Sequence, residues 1–193
     1  MLDRYARWIL AEPMNRFASW LSTLGVSPNA VTLMGFFLTI LSAIFIAQGS
    51  FFSGGMLLWV AALLDMLDGT LARLTKTSTF GAFLDSTIDR YSESTTFLAL
   101  AYYYIHEPLS QETILIFFTI VGSLMVSYTR ARAEGLSIEC KVGLLQRPER
   151  VLLIAVGLLT GGYVMLPILW LLAVLTNFTA LQRIYEVYLR TKE

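Results

Sequence analysis

The chain has 193 residues, of which 56% are hydrophobic and 15% are charged, whereas soluble domains average about 45–50% and about 25%. Its 14 Lys and Arg residues balance its 14 Asp and Glu residues, so the formal net charge is zero. These values exclude a disordered chain, which needs low hydrophobicity and high net charge, and they argue against a nucleic-acid partner, whose phosphates attract cationic proteins. The single cysteine, Cys140, excludes an internal disulfide and a cysteine-rich zinc site. The excess of apolar residues indicates a helical bundle in a membrane.

Residues 1–22, at the start of the chain, differ in pattern from the rest of the sequence. Apolar residues recur there at helical spacing, and arginines lie between them. This pattern predicts an amphipathic helix that lies in the membrane interface. The segment has neither the uninterrupted apolar stretch nor the cleavage site of a signal peptide.

Six apolar segments come next, each near the ~20 residues that a helix needs to cross ~30 Å of hydrocarbon. They lie at about residues 30–48, 51–73, 80–105, 111–133, 150–165 and 167–189. Helix-breaking residues such as Gly49, Pro108 and Pro167 separate them. We therefore predict one all-α integral membrane domain over residues 1–193, with an interfacial helix at 1–22 and a bundle of six transmembrane helices over 30–189.

The basic residues fall on one side of this predicted bundle. Three loops, around residue 49 and at 106–112 and 160–167, contain no Lys or Arg, whereas the other connections and both ends of the chain do. Arg90 lies inside the third segment, and the others are Arg4, Arg7, Arg16, Arg73, Lys76, Arg130, Arg132, Lys141, Arg147, Arg150, Arg183, Arg190 and Lys192. The positive-inside rule then predicts a multi-pass cell-membrane protein with both termini in the cytoplasm.

Four aspartates stand at matched spacing in the second and third segments. Asp65 and Asp68 are three residues apart, and Asp85 and Asp89 are four apart, so each pair shares a helix face. Four carboxylates facing lipid would cost on the order of 10 kcal/mol, so we expect them to face a wet cavity that contains cations. Oxygen ligands alone favour Mg²⁺ or Mn²⁺ over zinc. The alternative is that these residues pair with Arg73 and Arg90 at ordinary helix crossings.

The run that contains these aspartates resembles the defining motif of a known family. It reads Asp-x2-Asp-Gly-x2-Ala-Arg-x7-Gly-x3-Asp-x3-Asp from Asp65 to Asp89. Every fixed position of the motif of the CDP-alcohol phosphotransferases, integral membrane enzymes of phospholipid synthesis, is filled. The resemblance extends to the six segments, to the N-terminal helix and to the run from Ser27 to Thr32, and therefore covers nearly the whole chain.

The resemblance implies a homodimer, surrounded by membrane lipids, with a polar cavity that faces the cytoplasm. In that cavity the hydroxyl of an acceptor attacks the β-phosphorus of a CDP-linked alcohol such as CDP-diacylglycerol, and CMP leaves. Mg²⁺, with Mn²⁺ as an alternative, is the implied cofactor, as two ions. Asp65, Asp68 and Asp85 would bind metal, and Asp89 would complete the metal site or act as general base. The CDP group would be held by Pro28, Asn29, Ala30, Val31, Gly69, Arg73 and a hydroxyl near Ser78.

The basic residues after the fourth segment point to the acceptor. Arg-x-Arg-Ala-Glu-Gly from Arg130, followed by Arg-x-x-Arg from Arg147, is similar to the branch of the family that uses inositol 1-phosphate. Guanidinium groups match phosphate geometry, so we expect Arg130, Arg132, Arg147 and Arg150, with Lys141 as a further candidate, to bind the phosphate of a phosphorylated polyol. Topology alone also explains these charges. Glycerol 3-phosphate is the nearest rival acceptor, and CDP-inositol is a rival donor.

A cation transporter or channel is the main alternative from another class, because acidic residues inside a membrane also mark ion paths. It explains the aspartates and the six segments, but it does not explain why all four lie near one face of the membrane. A purely structural membrane subunit leaves the desolvation of the carboxylates without a reason.

Overall fold

The computed structural model describes residues 2–75, 78–106 and 110–192, with side chains from residue 12 onward. Lys76, one of the basic residues assigned to the cytoplasmic side, and Pro108, one of the predicted helix breakers, lie outside the described residues. The side chains of Arg4 and Arg7 do so as well.

The described residues form an all-helical protein of seven α-helices. They are α1 (Leu2–Thr23), α2 (Pro28–Ala47), α3 (Phe51–Leu74), α4 (Thr79–Tyr104), α5 (Gln111–Glu134), α6 (Arg147–Leu159) and α7 (Met165–Arg190). Among the described residues, α2, α3, α5 and α7 are long and apolar enough to cross a membrane. The prediction of a multi-pass helical membrane protein is therefore confirmed at this level.

The local sequence accounts for the helix starts. Ser27 caps α2 by accepting a hydrogen bond from the Ala30 amide at 3.2 Å, and Ser78 caps α4 by accepting one from the Gly81 amide at 2.9 Å. A serine at this position satisfies an amide that has no partner inside the helix. Pro28 occupies the first turn of α2, where its missing N–H costs nothing.

Small residues allow the helices to approach closely. The helix α2 packs against α3 and α4, and α5 packs against α7. A Cβ atom at Gly122 of α5 would overlap Thr176 Oγ1 of α7, and one at Gly54 of α3 would lie 2.6 Å from Ile46 Cγ1 of α2. Such close approaches are typical of membrane helices, where packing replaces the hydrophobic effect between helices.

The helix α6 is shorter than the predicted segment 150–165. It has 13 residues, about 20 Å at 1.5 Å per residue, and Gly161 and Gly162, with φ of 70° and 86°, end it early. The irregular residues 135–146 before it are tucked against α7: the Leu145 amide donates to Thr179 Oγ1 at 3.3 Å, and Arg183 Nε donates to the Val142 carbonyl at 2.8 Å. These hydrogen bonds hold the irregular segment against α7.

Candidate active site

Three carboxylates converge where the C-terminal half of α3 meets the start of α4. Asp65 and Asp68 come from α3 and Asp85 from α4, and one oxygen of each lies within 4.8 Å of the others. Asp68 is buried, and the Thr32 hydroxyl of α2 donates to its Oδ2 at 2.7 Å. Carboxylate oxygens at this separation fit a hard divalent cation such as Mg²⁺ or Mn²⁺. The helix spacing inferred from the sequence does bring these three residues together.

Asp89 lies one turn further along α4 and interacts with arginines. Its Oδ1 is 2.9 Å from Arg147 Nη1 of α6, and its Oδ2 is 3.8 Å from Arg90 Nη1. The same Nη1 of Arg147 donates to both oxygens of Asp65 at 2.9 Å. Arg147 therefore links α3, α4 and α6 across the site.

A second ion pair lies one turn beyond Asp89. Arg150 Nε donates to Glu93 Oε1 at 2.6 Å and Arg150 Nη2 donates to Glu93 Oε2 at 2.8 Å. The two side chains are 1% and 6% exposed. Arg150, which the sequence suggested for phosphate binding, is in this structure joined to a carboxylate below the site.

Two of these carboxylates, those of Asp65 and Asp68, line a cavity of about 850 Å³. Asp65, Asp68, Arg73 and Arg147 line its polar end. Residues of α2, α3 and α6 form its more apolar walls, among them Phe36, Leu58, Trp59, Leu152 and Ile154. The cavity therefore offers one region for a charged group and one for a hydrocarbon portion.

The residues expected to hold the CDP group lie at two neighbouring helix starts and along α3. A Cβ at Gly81 would meet Asn29 Oδ1 at 3.0 Å and Ser78 Oγ at 2.9 Å, so the starts of α2, at Pro28, Asn29, Ala30 and Val31, and of α4 are adjacent. Gly69 lines the cavity. Among the described residues, a Cβ atom at Gly69 would contact Arg73 Nη1, at 3.9 Å. The Arg73 guanidinium donates to Thr70 Oγ1 at 2.9 Å. Helix starts attract anions.

Three basic residues expected at the acceptor site lie on exposed surface. Arg130 is paired with Glu134 of the same helix at 2.8 Å, Arg132 is exposed, and Lys141 is paired with Glu139 in the irregular segment. The hydrogen bond from Lys141 lowers the pKa of the Glu139 carboxyl. Among the described residues, Arg147 is the basic member of the expected acceptor group that lines the cavity.

Sequence reasoning assigned no role to two further polar residues. Thr32 orients Asp68; it belongs to the run that begins at Ser27, but nothing in the sequence indicates which carboxylate it meets. Arg183 is 4% exposed and donates from Nη1 to the Val126 carbonyl at 2.5 Å, as well as to Val142. The position of Arg183 inside the apolar segment 167–189 could have indicated that its side chain has a buried polar partner.

Comparison with known proteins identifies the family. The family model described as CDP-alcohol phosphatidyltransferase matches residues 25–180. The chain is 38% identical over 177 residues to the archaetidylinositol phosphate synthase of Pyrococcus horikoshii, which covers 91% of this chain and 90% of that one. It is 37% identical over 204 residues to the phosphatidylinositol phosphate synthase of Streptomyces avermitilis, covering 97% and 82%.

Solved structures show the same fold. The phosphatidylinositol phosphate synthase of Mycobacterium tuberculosis in complex with manganese and citrate superposes with a TM-score of 0.84 at 30% identity, over 91% of this chain and 88% of that one. The same enzyme with CDP-DAG bound gives a TM-score of 0.81 at 31% identity, over 91% and 93%. The chain is accordingly a membrane transferase of phospholipid synthesis that uses a divalent cation. It belongs to the CDP-alcohol phosphatidyltransferase family, as its aspartate motif indicated.

Proposed function

We propose that this enzyme transfers the phosphatidyl or related phospho-alcohol group of a CDP-linked lipid to a hydroxyl of inositol 1-phosphate and releases CMP. The observation that carries the proposal is the convergence of Asp65, Asp68 and Asp85 within 4.8 Å, beside a cavity that Asp65, Asp68, Arg73 and Arg147 line. The names of the relatives in Pyrococcus and Streptomyces support a phosphorylated inositol as acceptor.

The metal ligands in this proposal are Asp65, Asp68 and Asp85, and Asp89 contributes where a second ion binds. When bound, Mg²⁺ or Mn²⁺ supplies positive charge that stabilises the phosphate oxygens and the leaving CMP. The protein's own contribution is to hold the ligands in place. Thr32 occupies one oxygen of Asp68 by hydrogen bonding, which leaves the other oxygen for the ion.

The donor binds with its pyrophosphate beside the adjacent starts of α2 and α4. The positive ends of the two helix dipoles favour an anion there. Gly69 leaves room on α3, and Arg73 and Ser78 complete the contacts to the CDP group. The apolar walls around Phe36 and Trp59 accept part of the lipid.

The transfer step uses Asp89 as the base. The acceptor hydroxyl forms a bond to the β-phosphorus of the donor, the bond from that phosphorus to the bridging oxygen breaks, and CMP leaves with the electron pair. Asp89 takes the hydroxyl proton, as a carboxylate near the acceptor can. Its pairing at 2.9 Å with Arg147, which lines the cavity, fixes the position of the carboxylate.

The acceptor phosphate binds on the basic side of the cavity. Arg147 contacts it there, and Arg130 and Arg132 at the end of α5 extend the positive surface outward, where planar guanidinium groups match phosphate oxygens. Arg150 contributes indirectly to the acceptor site, through its ion pair with Glu93.

In the membrane, we propose six crossings, α2 to α7, with the carboxylate end and both termini in the cytoplasm. This orientation rests on the basic residues at that end. The helix α1 lies in the interface, where Phe17 and Trp20, 48% and 54% exposed, would contact lipid. Two copies form the homodimer of a single-domain chain, 1–193.

The test is CMP release by the purified protein with Mg²⁺ and a CDP-lipid, ester- or ether-linked, across a set of acceptors. We expect release with inositol 1-phosphate and little with free inositol, serine or glycerol 3-phosphate. The Asp68→Asn variant serves as the inactive control. Release with free inositol and none with inositol 1-phosphate would contradict the proposed acceptor, whereas cation flux in proteoliposomes without any CMP release would contradict the reaction itself.

A further inference from the structure

The Glu93–Arg150 ion pair is buried inside the protein, at the edge of the cavity. Two parallel hydrogen bonds of 2.6 and 2.8 Å join the guanidinium to the carboxylate, and of the two residues Glu93 lines the cavity while Arg150 lies behind it. A bidentate pair fixes the relative orientation of its two groups as well as their distance. Burying two charges is costly, which makes a purely stabilising role a poor reason for the pair.

Its position connects it to the active site. Glu93 lies one turn beyond Asp89 on α4, and Arg150 lies one turn beyond Arg147 on α6. The pairs Asp89–Arg147 and Glu93–Arg150 are therefore consecutive cross-links between the same two helices. Residues at i,i+3 and i,i+4 share a helix face. The Glu93–Arg150 pair therefore also influences where Asp89 and Arg147 lie.

The first turn of α6 needs such a cross-link. It comes directly after the irregular residues 135–146, and its N-cap residue Gln146 makes no side-chain capping hydrogen bond to the described residues. The helix packs chiefly against α3 and α7, so the link from this turn to α4 is made by long side chains. Apart from the buried pair, the side-chain link from α6 to α4 among the described residues is the contact between Arg147 and Asp89.

We propose that Glu93 and Arg150 are positioning residues that hold Arg147 between Asp65 and Asp89. The inference rests on the proposed function for the role of those carboxylates. Arg147 and a divalent cation compete for the oxygens of Asp65, and Arg147 also contacts the acceptor phosphate. The buried pair therefore sets how strongly the site binds its cation and where the acceptor phosphate lies.

Binding of Mn²⁺ to the purified full-length protein tests this, with free Mn²⁺ followed by electron paramagnetic resonance. Arg147→Met removes the competing charge, so we expect the Kd for Mn²⁺ to fall at least twofold. The double variant Glu93→Leu with Arg150→Met removes the buried pair without leaving a lone buried charge. We expect the Kd for Mn²⁺ to fall in this variant as well, also by at least twofold.

Combining all three substitutions separates positioning from an independent effect. If the pair acts through Arg147, the triple variant binds Mn²⁺ like Arg147→Met alone, because the second change has nothing left to move. A double variant whose Kd shifts by less than twofold, or a triple variant whose shift is the product of the other two, overturns the proposal. Glu93→Gln with Arg150→Gln replaces the double variant if the apolar version does not fold.

Kinetics provide the second readout. We expect the double variant to raise the KM for inositol 1-phosphate at least fivefold while the KM for the CDP-lipid changes less than twofold; equal changes in both would contradict positioning of the acceptor side. If the wild-type enzyme releases no CMP with inositol 1-phosphate, the proposed acceptor fails, and the Mn²⁺ measurements still decide the role of the pair.

Discussion

The two ends of the helical bundle bury very different side chains. At one end Ile46, Leu100, Leu158 and Met165 are fully buried in a continuous apolar cluster. At the other end Asp68, Glu93 and Arg150 are buried. Glu93 and Arg150 form an ion pair between α4 and α6, and Asp68 accepts a hydrogen bond from Thr32. The apolar end derives its stability from close packing, whereas the carboxylate end contains groups that are costly to bury.

Among the substitutions considered, the loss of one of the three converging carboxylates, Asp65, Asp68 or Asp85, is expected to reduce activity the most. Asp85→Asn keeps the size of the side chain but removes the negative charge of one proposed metal ligand. We expect CMP release to fall at least about 1000-fold, about 4 kcal/mol in the barrier, with little change in Tm. Glu186→Gln, in an exposed pair with Arg190 on α7, is the matched control and should retain wild-type activity. More than a tenth of wild-type activity in Asp85→Asn would contradict the metal assignment.

The Asp89→Asn variant tests whether Asp89 acts as the base, a role distinct from metal binding by Asp65, Asp68 and Asp85. Because Asp89 pairs with Arg147, we expect the substitution to abolish turnover while binding of the CDP-lipid largely survives. Equilibrium binding of the donor and single-turnover CMP release measure the two properties separately. Normal turnover in this variant would disprove a catalytic role for Asp89.

The sequence was sufficient to predict the helices and the carboxylates, because both depend on short-range patterns. The segments 30–48 and 51–73 correspond to α2 at Pro28–Ala47 and α3 at Phe51–Leu74. The spacing of Asp65, Asp68 and Asp85 placed them on facing helices without any knowledge of the fold.

The partners of the arginines could not be predicted, because they depend on contacts between distant parts of the chain. Arg147 meets Asp65 over 82 residues and Arg150 meets Glu93 over 57. The sequence shows that Arg147 and Arg150 are three residues apart, but it does not show which of them borders the cavity. The fifth segment was predicted at 150–165, whereas α6 covers Arg147–Leu159, because Gly161 and Gly162 end the helix early.

A substitution at a helix crossing tests the packed part of the molecule. Gly122→Ala places a Cβ in direct overlap with Thr176 Oγ1, and overpacking of this kind costs about 1–3 kcal/mol. We expect Tm to fall by several degrees while kcat of the folded enzyme stays near the wild-type value. Gly135→Ala is the matched control, because its Cβ would lie 3.4 Å from the nearest described atom. An unchanged Tm in Gly122→Ala would show that α5 and α7 are not packed as closely as described.

Thr32→Val removes one hydrogen bond from the carboxylate end. The side chain keeps its shape, but Asp68 loses the donor at 2.7 Å. Hydrogen bonds to charged groups contribute about 1.5–3 kcal/mol, so we expect kcat/KM to fall about 10- to 100-fold. Thr119→Val, which removes a buried hydroxyl that donates to the Leu115 carbonyl of its own helix, should change activity less than twofold. Equal effects of the two substitutions would show that Thr32 acts only through general packing.

Arg130→Ala is expected to have the smallest effect, and it tests how far the carboxylate end extends toward the surface. The side chains of Arg130 and Glu134 are 47% and 54% exposed, so their ion pair contributes at most about 1 kcal/mol and Tm should not change. If Arg130 attracts the acceptor phosphate at long range, its loss should nevertheless raise the KM for inositol 1-phosphate two- to fivefold. Added salt should reduce this difference between the variant and the wild type. Glu134→Gln frees Arg130 from its partner and should leave that KM the same or lower it. If Arg130→Ala leaves the acceptor KM unchanged at low salt, the positive charge of this helix end reflects topology alone, and recognition of the acceptor phosphate is confined to the cavity around Arg147.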